Sequence, residues 1–270
     1  MSYASIEEAM VYGYGIERSF RCHVHGDTNP SASVNSVTGL WFCYACGARG
    51  KYNVSDVPPD KAATTLIRYV DRMMQEKTVH PEAWLDVYDS MGPGDYWLSR
   101  FSPEVCARFR LGQDPARKFA TIPVRDAQDR VLGVIRRDLT GTDEAKYRYP
   151  PGVTMSKLLF NLSSCEGDVL MLTEGATDAI AADEAGWPSV MATYRNGISL
   201  YQRILLREYA PTTVICAYDQ DEAGELGYRQ IKNALGVKVD RLTWTDHKDL
   251  ASIALSDRRA MMQQLSELYS

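Results

Sequence analysis

Four metal-type ligands fall in two close pairs near the start of the chain, Cys22-x-x-His25 and Cys43-x-x-Cys46, with 17 residues between them. Each pair turns around a single ion, and four soft or borderline ligands at this spacing suit a closed, structural, tetrahedral zinc site. His23 competes for the fourth place, but only His25 repeats the two-residue separation of the other pair. Between the pairs, residues 31–35 and 40–42 alternate around Ser36-Val37-Thr38-Gly39, which predicts a hairpin that brings the pairs together as a zinc ribbon. Gly47 and Gly50 permit the tight backbone after the second pair. Trp41, Phe42 and Tyr44 suit either a small core or stacking on unpaired bases.

The other cysteines, Cys106, Cys165 and Cys216, lie far apart in apolar or helical contexts and read as small packed side chains. A chain of 270 residues suggests roughly two compact units. With charged residues every few positions, it contains no run of about 18 apolar residues and no secretory start. A soluble, cytoplasmic protein with no membrane contact is expected. The net charge of −5 argues against a surface that coats nucleic acid throughout, so charge has to be read by region. Residues 100–157 hold 12 Lys and Arg against seven Asp and Glu, which leaves the rest of the chain at −10.

From residue 168 onward, short apolar runs alternate with helical periodicity. Strands are expected at 168–173, 189–193, 213–218 and 237–242, and helices at 177–185, 199–209, 223–235 and 256–268. Such alternation predicts a mainly parallel sheet, whose working residues lie beyond the carboxyl ends of its strands. Two acidic motifs stand there: Thr173-Glu174-Gly175-Ala176-Thr177-Asp178, and Tyr218-Asp219-Gln220-Asp221-Glu222-Ala223-Gly224. Glu174, Asp219 and Asp221 are expected to converge, with Asp178 and Asp249 as further members. Hard oxygens in this pattern suit Mg²⁺ or Mn²⁺. A single acid at such a place more often caps the next helix, as Asp178, Asp221 or Glu222 would, but the set needs a cation to offset its repulsion.

The middle of the chain predicts helices over 81–88 and 94–109, then strands 119–125 and 131–138 around the turn 126–130. Here Arg136, Arg137, Lys146, Arg148 and Lys157 interleave with Tyr147, Tyr149 and Phe160, as in a groove for a single strand or nucleotide phosphates. Residues 55–60 break regular structure ahead of a helix-like run over 61–77. The expected organisation is a zinc ribbon at 1–56, a linker at 57–80, a mixed α+β part at 81–166 and an α/β part at 167–270.

These motifs, in this order, resemble the bacterial and phage-type DNA primases, which join a Cys-His-Cys-Cys zinc ribbon to a TOPRIM catalytic domain. The resemblance rests on Cys22-His23-Val24-His25, Asn29-Pro30-Ser31 and Trp41 to Gly47. It continues through Phe109-Arg110-Leu111-Gly112, Gly133 to Leu139 and Lys146-Tyr147, then Glu174-Gly-x-x-Asp178, Asn196-Gly197, Asp219-x-Asp221-x-Ala223-Gly224 and Lys248-Asp249. It implies an α+β multidomain primase that makes short RNA primers on a single-stranded DNA template from ribonucleoside triphosphates. Further implications are one structural zinc, catalytic Mg²⁺ or Mn²⁺, a phage or mobile-replicon origin in a bacterial cytosol, and a separately encoded replicative helicase as partner. Glu174 would be a catalytic carboxylate or metal ligand, Asp219 and Asp221 the main ligands, and Asp178 and Asp249 secondary ones. Arg137 and Lys146 would meet template or nucleotide phosphates. At Tyr149-Pro150 the chain departs from the family, which often has Asn there. A TOPRIM nuclease and a non-catalytic, zinc-dependent single-strand-binding replisome protein are the alternatives.

Overall fold

The computed structural model describes residues 3–12, 17–36, 38–53, 78–143 and 145–269. The chain divides into two compact units, Met1–Glu76 and Lys77–Ser270. The helix-like run over 61–77 and most of the expected linker lie outside the described residues.

In the first unit, the helix Ile6–Tyr12 precedes a four-stranded antiparallel sheet of β1 (Glu17–Phe20), β2 (Ala32–Asn35), β3 (Leu40–Cys43) and β4 (Arg49–Lys51), in that order. The hairpin expected around residues 36–39 is β2–β3, with Ala32 opposite Cys43 and Val34 opposite Trp41. Ile6, Ala9, Met10, Phe20, Ala32 and Val34 form a small core behind it. Buried Arg18 satisfies its guanidinium on the carbonyls of Ala9 and Met10 near the end of the helix.

The second unit carries two sheets. The antiparallel one runs β5 (Gly112–Gln113), β6 (Phe119–Arg125), β7 (Val131–Asp138) and β8 (Tyr147–Arg148). The parallel one comprises β9 (Val169–Thr173), β10 (Val190–Ala192), β11 (Thr213–Ala217) and β12 (Lys238–Arg241), in the order β10-β9-β11-β12. Helices Ala176–Glu184, Leu200–Tyr209 and Glu222–Ala234 connect successive parallel strands, and Leu255–Tyr269 closes the chain. Parallel neighbours need such crossovers, and burial of both faces explains the uninterrupted apolar runs of β9 and β11. One core joins the sheets: Trp97, Phe101, Ile122 and Ile135 pack in the same cluster as Met171, Ala179, Ile180 and Trp187.

The expected helix over 94–109 is two helices, Gly94–Leu98 and Pro103–Arg108. Pro103 has no N–H to continue the first, and Ser102 caps the second by accepting from Val105 N at 3.4 Å. The helix expected over 81–88 starts as a 3₁₀ turn, Glu82–Leu85, before Asp86–Asp89. Among the described residues no helix is long and apolar enough to cross a membrane.

Candidate functional site

The zinc ligands come together as the hairpin requires. Ligand atoms of Cys22, His25, Cys43 and Cys46 all lie within 4.8 Å of one another. Sulfurs about 2.3 Å from a shared zinc in a tetrahedron stand about 3.8 Å apart, and Cys22 and Cys46 Sγ are 3.8 Å apart. Burial raises the Cys43 thiol, but hydrogen bonds from Ser31 and from the Cys46 and Ala45 N–H groups bring it down to about 6. That favours the thiolate a metal needs. The residues present therefore fit zinc. His23 packs edge-on against Trp41 with ring centroids 5.0 Å apart, which leaves the fourth place to His25.

The aromatic trio divides. Trp41 packs against Phe20 beside the core, and a Cβ at Gly50 would stand 2.8 Å from its Nε1. Phe42 and exposed Tyr44 meet each other edge to face. Asp27 braces the ligand loops: its Oδ2 accepts from Cys22 N at 2.8 Å, Ser31 N at 3.1 Å and Ser31 Oγ at 2.7 Å. Its Oδ1 lies 3.9 Å from His25 Nε2. The sequence reading misses Asp27, although metal-binding histidines are commonly oriented by a carboxylate.

At the carboxyl edge of the parallel sheet, a cleft of about 220 Å³ is lined by Glu174, Asp178, Asp219 and Asp249 together with Ile122, Ile135, Tyr147, Tyr149 and Tyr194. Glu174 follows β9 and Asp219 follows β11, which are adjacent parallel strands, so the topology brings them together. Burial, then the charges of Asp219 and Asp221, raises Glu174 above an ordinary carboxyl. Burial and Asp249 likewise raise Asp219. Asp178 is pushed up to about 7, chiefly by burial, while its Oδ1 accepts from Ala251 N at 3.0 Å.

Asp221 and Asp249 also serve the capping role weighed for single acids. Asp221 Oδ1 accepts from Gly224 N at 2.9 Å at the start of Glu222–Ala234, and Asp249 Oδ1 from Ser252 N at 2.8 Å. Among the described residues only the Cys-His group draws three or more ligand atoms within 4.8 Å, so the acids form a looser set. A hard, hydrated cation accepts that looseness because it takes one or two carboxylates plus waters and substrate oxygens. Glu174, Asp219 and Asp221 fit it by donor type, and it would offset the mutual repulsion that, after burial, raises Glu174 and Asp219.

The loop after β11 is held tightly. A Cβ at Gly224 would stand 2.0 Å from the Asp219 carbonyl oxygen, so only glycine lets the helix start this close. Arg241 Nη2 donates to that carbonyl at 2.8 Å, and Gln220 N donates to the Lys248 carbonyl at 2.9 Å.

The five basic residues do not share one surface. In the β6–β7–β8 register, Arg137 stands opposite Tyr147, on the face of Ile122 and Ile135 that lines the cleft. Its Nη1 donates to Tyr147 Oη at 2.8 Å, and its guanidinium lies between the Tyr96 and Tyr147 rings, 4.9 and 5.2 Å from their centroids. Arg136 and Arg148 pair with each other on the opposite face, both near the Phe119 ring, and Arg148 is engaged by Asp143. Lys146 is exposed beside Tyr147, and Lys157 lies over the Tyr201 ring. The +5 segment thus places Arg137 on the sheet face that lines the cleft, behind Tyr147, and turns Arg136 and Arg148 away. The sequence reading missed Tyr194 as a cleft residue; its only signal was its position beyond β10, at the same sheet edge as Glu174.

Residues 171–254, which hold most of this parallel sheet and the acids beyond its strand ends, match the Toprim-like family model. The resemblance of the wider chain is to DNA primases. It is 26% identical to the DNA primase of Synechococcus elongatus over 75% of this chain and 41% of that protein. It thus spans about two fifths of that relative's length. The Aquifex aeolicus primase zinc-binding and RNA polymerase domains match with a TM-score of 0.58 and 20% identity, over 93% of this chain and 78% of that one. A DnaG primase catalytic domain bound to single-stranded DNA matches with a TM-score of 0.57 and 20% identity, covering 69% and 76%. The α+β architecture expected from the motifs is therefore the fold these primase domains share.

Proposed function

We propose that the chain is a DNA-directed RNA polymerase of the primase type, which makes short RNA primers on single-stranded DNA. The observation that carries the reading is a cleft that brings Glu174, Asp178, Asp219 and Asp249 together with Tyr147, Tyr149 and Tyr194, with Arg137 against Tyr147. Crowded carboxylates suit divalent cations, through which a triphosphate would be held, and the tyrosines suit a base. The relatives named DNA primase, and the one bound to single-stranded DNA, support the same assignment.

In this reading Glu174, Asp219 and Asp221 hold Mg²⁺ or Mn²⁺, with Asp178 and Asp249 behind them. When bound, the cation offsets charge on the triphosphate. The primer 3′-oxygen would bond to the α-phosphorus as pyrophosphate leaves, and the hydroxyl proton would pass to water in the cleft. Arg137, with Lys146 near the cleft, meets phosphates of nucleotide or template. Arg136, Arg148 and Lys157 would serve a longer path of the template around the sheet. The zinc ribbon, with one structural zinc, holds the template near its start site, and Tyr44 and Phe42 offer it base-stacking surfaces.

The cellular setting is a bacterial cytosol, with the chain encoded by a phage or similar replicon and working with a separate replicative helicase. The test is primer synthesis on assorted single-stranded templates with labelled ribonucleotides and Mg²⁺ or Mn²⁺, wild type against Asp219→Asn. Short template-dependent RNA from wild type alone is expected. Equal synthesis by the variant would refute the carboxylate assignment, and template degradation would identify a nuclease instead.

A further inference from the structure

Lys248 stands over the acidic loop in a way that the metal assignment leaves unexplained. Its Nζ lies 3.7 Å from Asp219 Oδ2 and 3.7 Å from Asp221 Oδ2. Among the described residues, these two carboxylates have no other ion pair. The backbone beneath is fixed, because the Lys248 carbonyl accepts from Gln220 N at 2.9 Å and the next residue, Asp249, caps a 3₁₀ turn. The side chain itself is 68% exposed. A pinned root and a free ammonium give a cation that reaches both acids and can swing a few ångströms away from them.

An exposed lysine shared between two carboxylates neutralises part of their repulsion at little cost in ordering, because each contact is weak. A divalent ion on the same oxygens would repel the ammonium. The nearest strong acceptors for it would then be the phosphate oxygens of a nucleotide held in the cleft, and lysine binds phosphate as a mobile point charge. We propose that Lys248 competes with the divalent cation for Asp219 and Asp221, and contacts the phosphates of a nucleotide bound there. The inference rests on the carboxylate reading above and adds a specific phosphate-binding group to it.

The two roles have opposite signatures when the ammonium is removed. Mn²⁺ binding is measured on the full chain by electron paramagnetic resonance, first without nucleotide. Affinities for ATP and for inorganic tripolyphosphate are then measured at saturating Mn²⁺. Lys248→Ala should tighten Mn²⁺ binding about threefold to tenfold, the scale of two weak exposed pairs, and weaken both ATP and tripolyphosphate about tenfold. Equal loss with both ligands assigns the contact to phosphate and not to the base. Lys248→Arg should restore polyphosphate binding. Unchanged or weaker Mn²⁺ binding in Lys248→Ala overturns the competition, and unchanged polyphosphate affinity overturns the phosphate contact. A wild type with no Mn²⁺ site, or one whose site survives Asp219→Asn unaltered, overturns the carboxylate reading and this inference with it.

Discussion

Replacing Asp178 with Asn tests whether the fully buried acid at the base of the cleft is held against its chemistry. Burial is the main cause of its rise from the usual 3.8 to about 7, and Asp249, Asp219 and Glu174 add to it, while the Ala251 N–H opposes it. The folded protein therefore holds this proton more tightly than the unfolded chain. The stabilisation from the shift is fully present below pH 3.8 and is lost as pH rises through 7. A rise of about three units corresponds to about 4 kcal/mol at 1.36 kcal/mol per unit, of which about 2.5 kcal/mol is lost between pH 5 and 8. Asparagine keeps an oxygen for the Ala251 N–H and carries no charge. Urea unfolding with chelator present, at pH 5 and pH 8, should show wild type losing about 2.5 kcal/mol more than Asp178→Asn across that interval. Glu174 and Asp219 titrate in both proteins, so the difference reports Asp178 and its coupling to them. Parallel pH profiles for the two proteins would refute the argument.

Gly224→Ala places a Cβ 2.0 Å from the Asp219 carbonyl, so calorimetric Mn²⁺ binding should fall at least tenfold while the zinc content stays whole. Glu184 and Arg258 form an ion pair at 3.1 Å with each side chain 3% exposed, and Glu184 also accepts from Ser102 N at 2.7 Å. Arg258→Met alone should cost about 3–5 kcal/mol by stranding the acid. The Glu184→Gln/Arg258→Met double variant should recover most of that in thermal unfolding, since glutamine keeps the Ser102 bond; a double variant no better than the single would refute this account. Asp27→Asn weakens the orienting bonds to the zinc loops, and zinc loss to a competing chelator should then require about tenfold less chelator or more. Cys43→Ser should lower zinc content measured by atomic absorption, and full retention would remove Cys43 from the ligand set.

The parallel sheet was readable because both its faces are covered. β9 and β11 show as apolar runs, and each is followed within two residues by an acid, so the convergence of Glu174 and Asp219 followed from topology alone. The zinc ribbon was readable for a different reason: metal ligands fix their own spacing. The shorter strands β5 and β8 were not readable, since two residues cannot establish an alternating pattern. The break in the helix over 94–109 was in principle visible at Ser102-Pro103, where a cap residue precedes a proline; amphipathic periodicity on both sides concealed it.

The basic segment shows where composition stops being informative. Arg136 and Arg137 are neighbours in sequence with the same charge, yet a strand sends adjacent side chains to opposite faces. Which one meets the cleft is decided by register, and register is set by Ile122 and Ile135 turning inward to the shared core. A one-residue slip of β7 would exchange the two arginines and move Ile135 out of the shared core to the face where Val134 packs with Leu85. The hydrophobic effect that buries that isoleucine therefore also holds Arg137 on the cleft side of the sheet, against Tyr96 and Tyr147. Arg137→Ala should accordingly weaken nucleotide binding more than Arg136→Ala does, whereas Arg136→Ala should act on long templates alone; equal effects of both on nucleotide affinity, measured with Mn²⁺ present, would refute the division of the two faces.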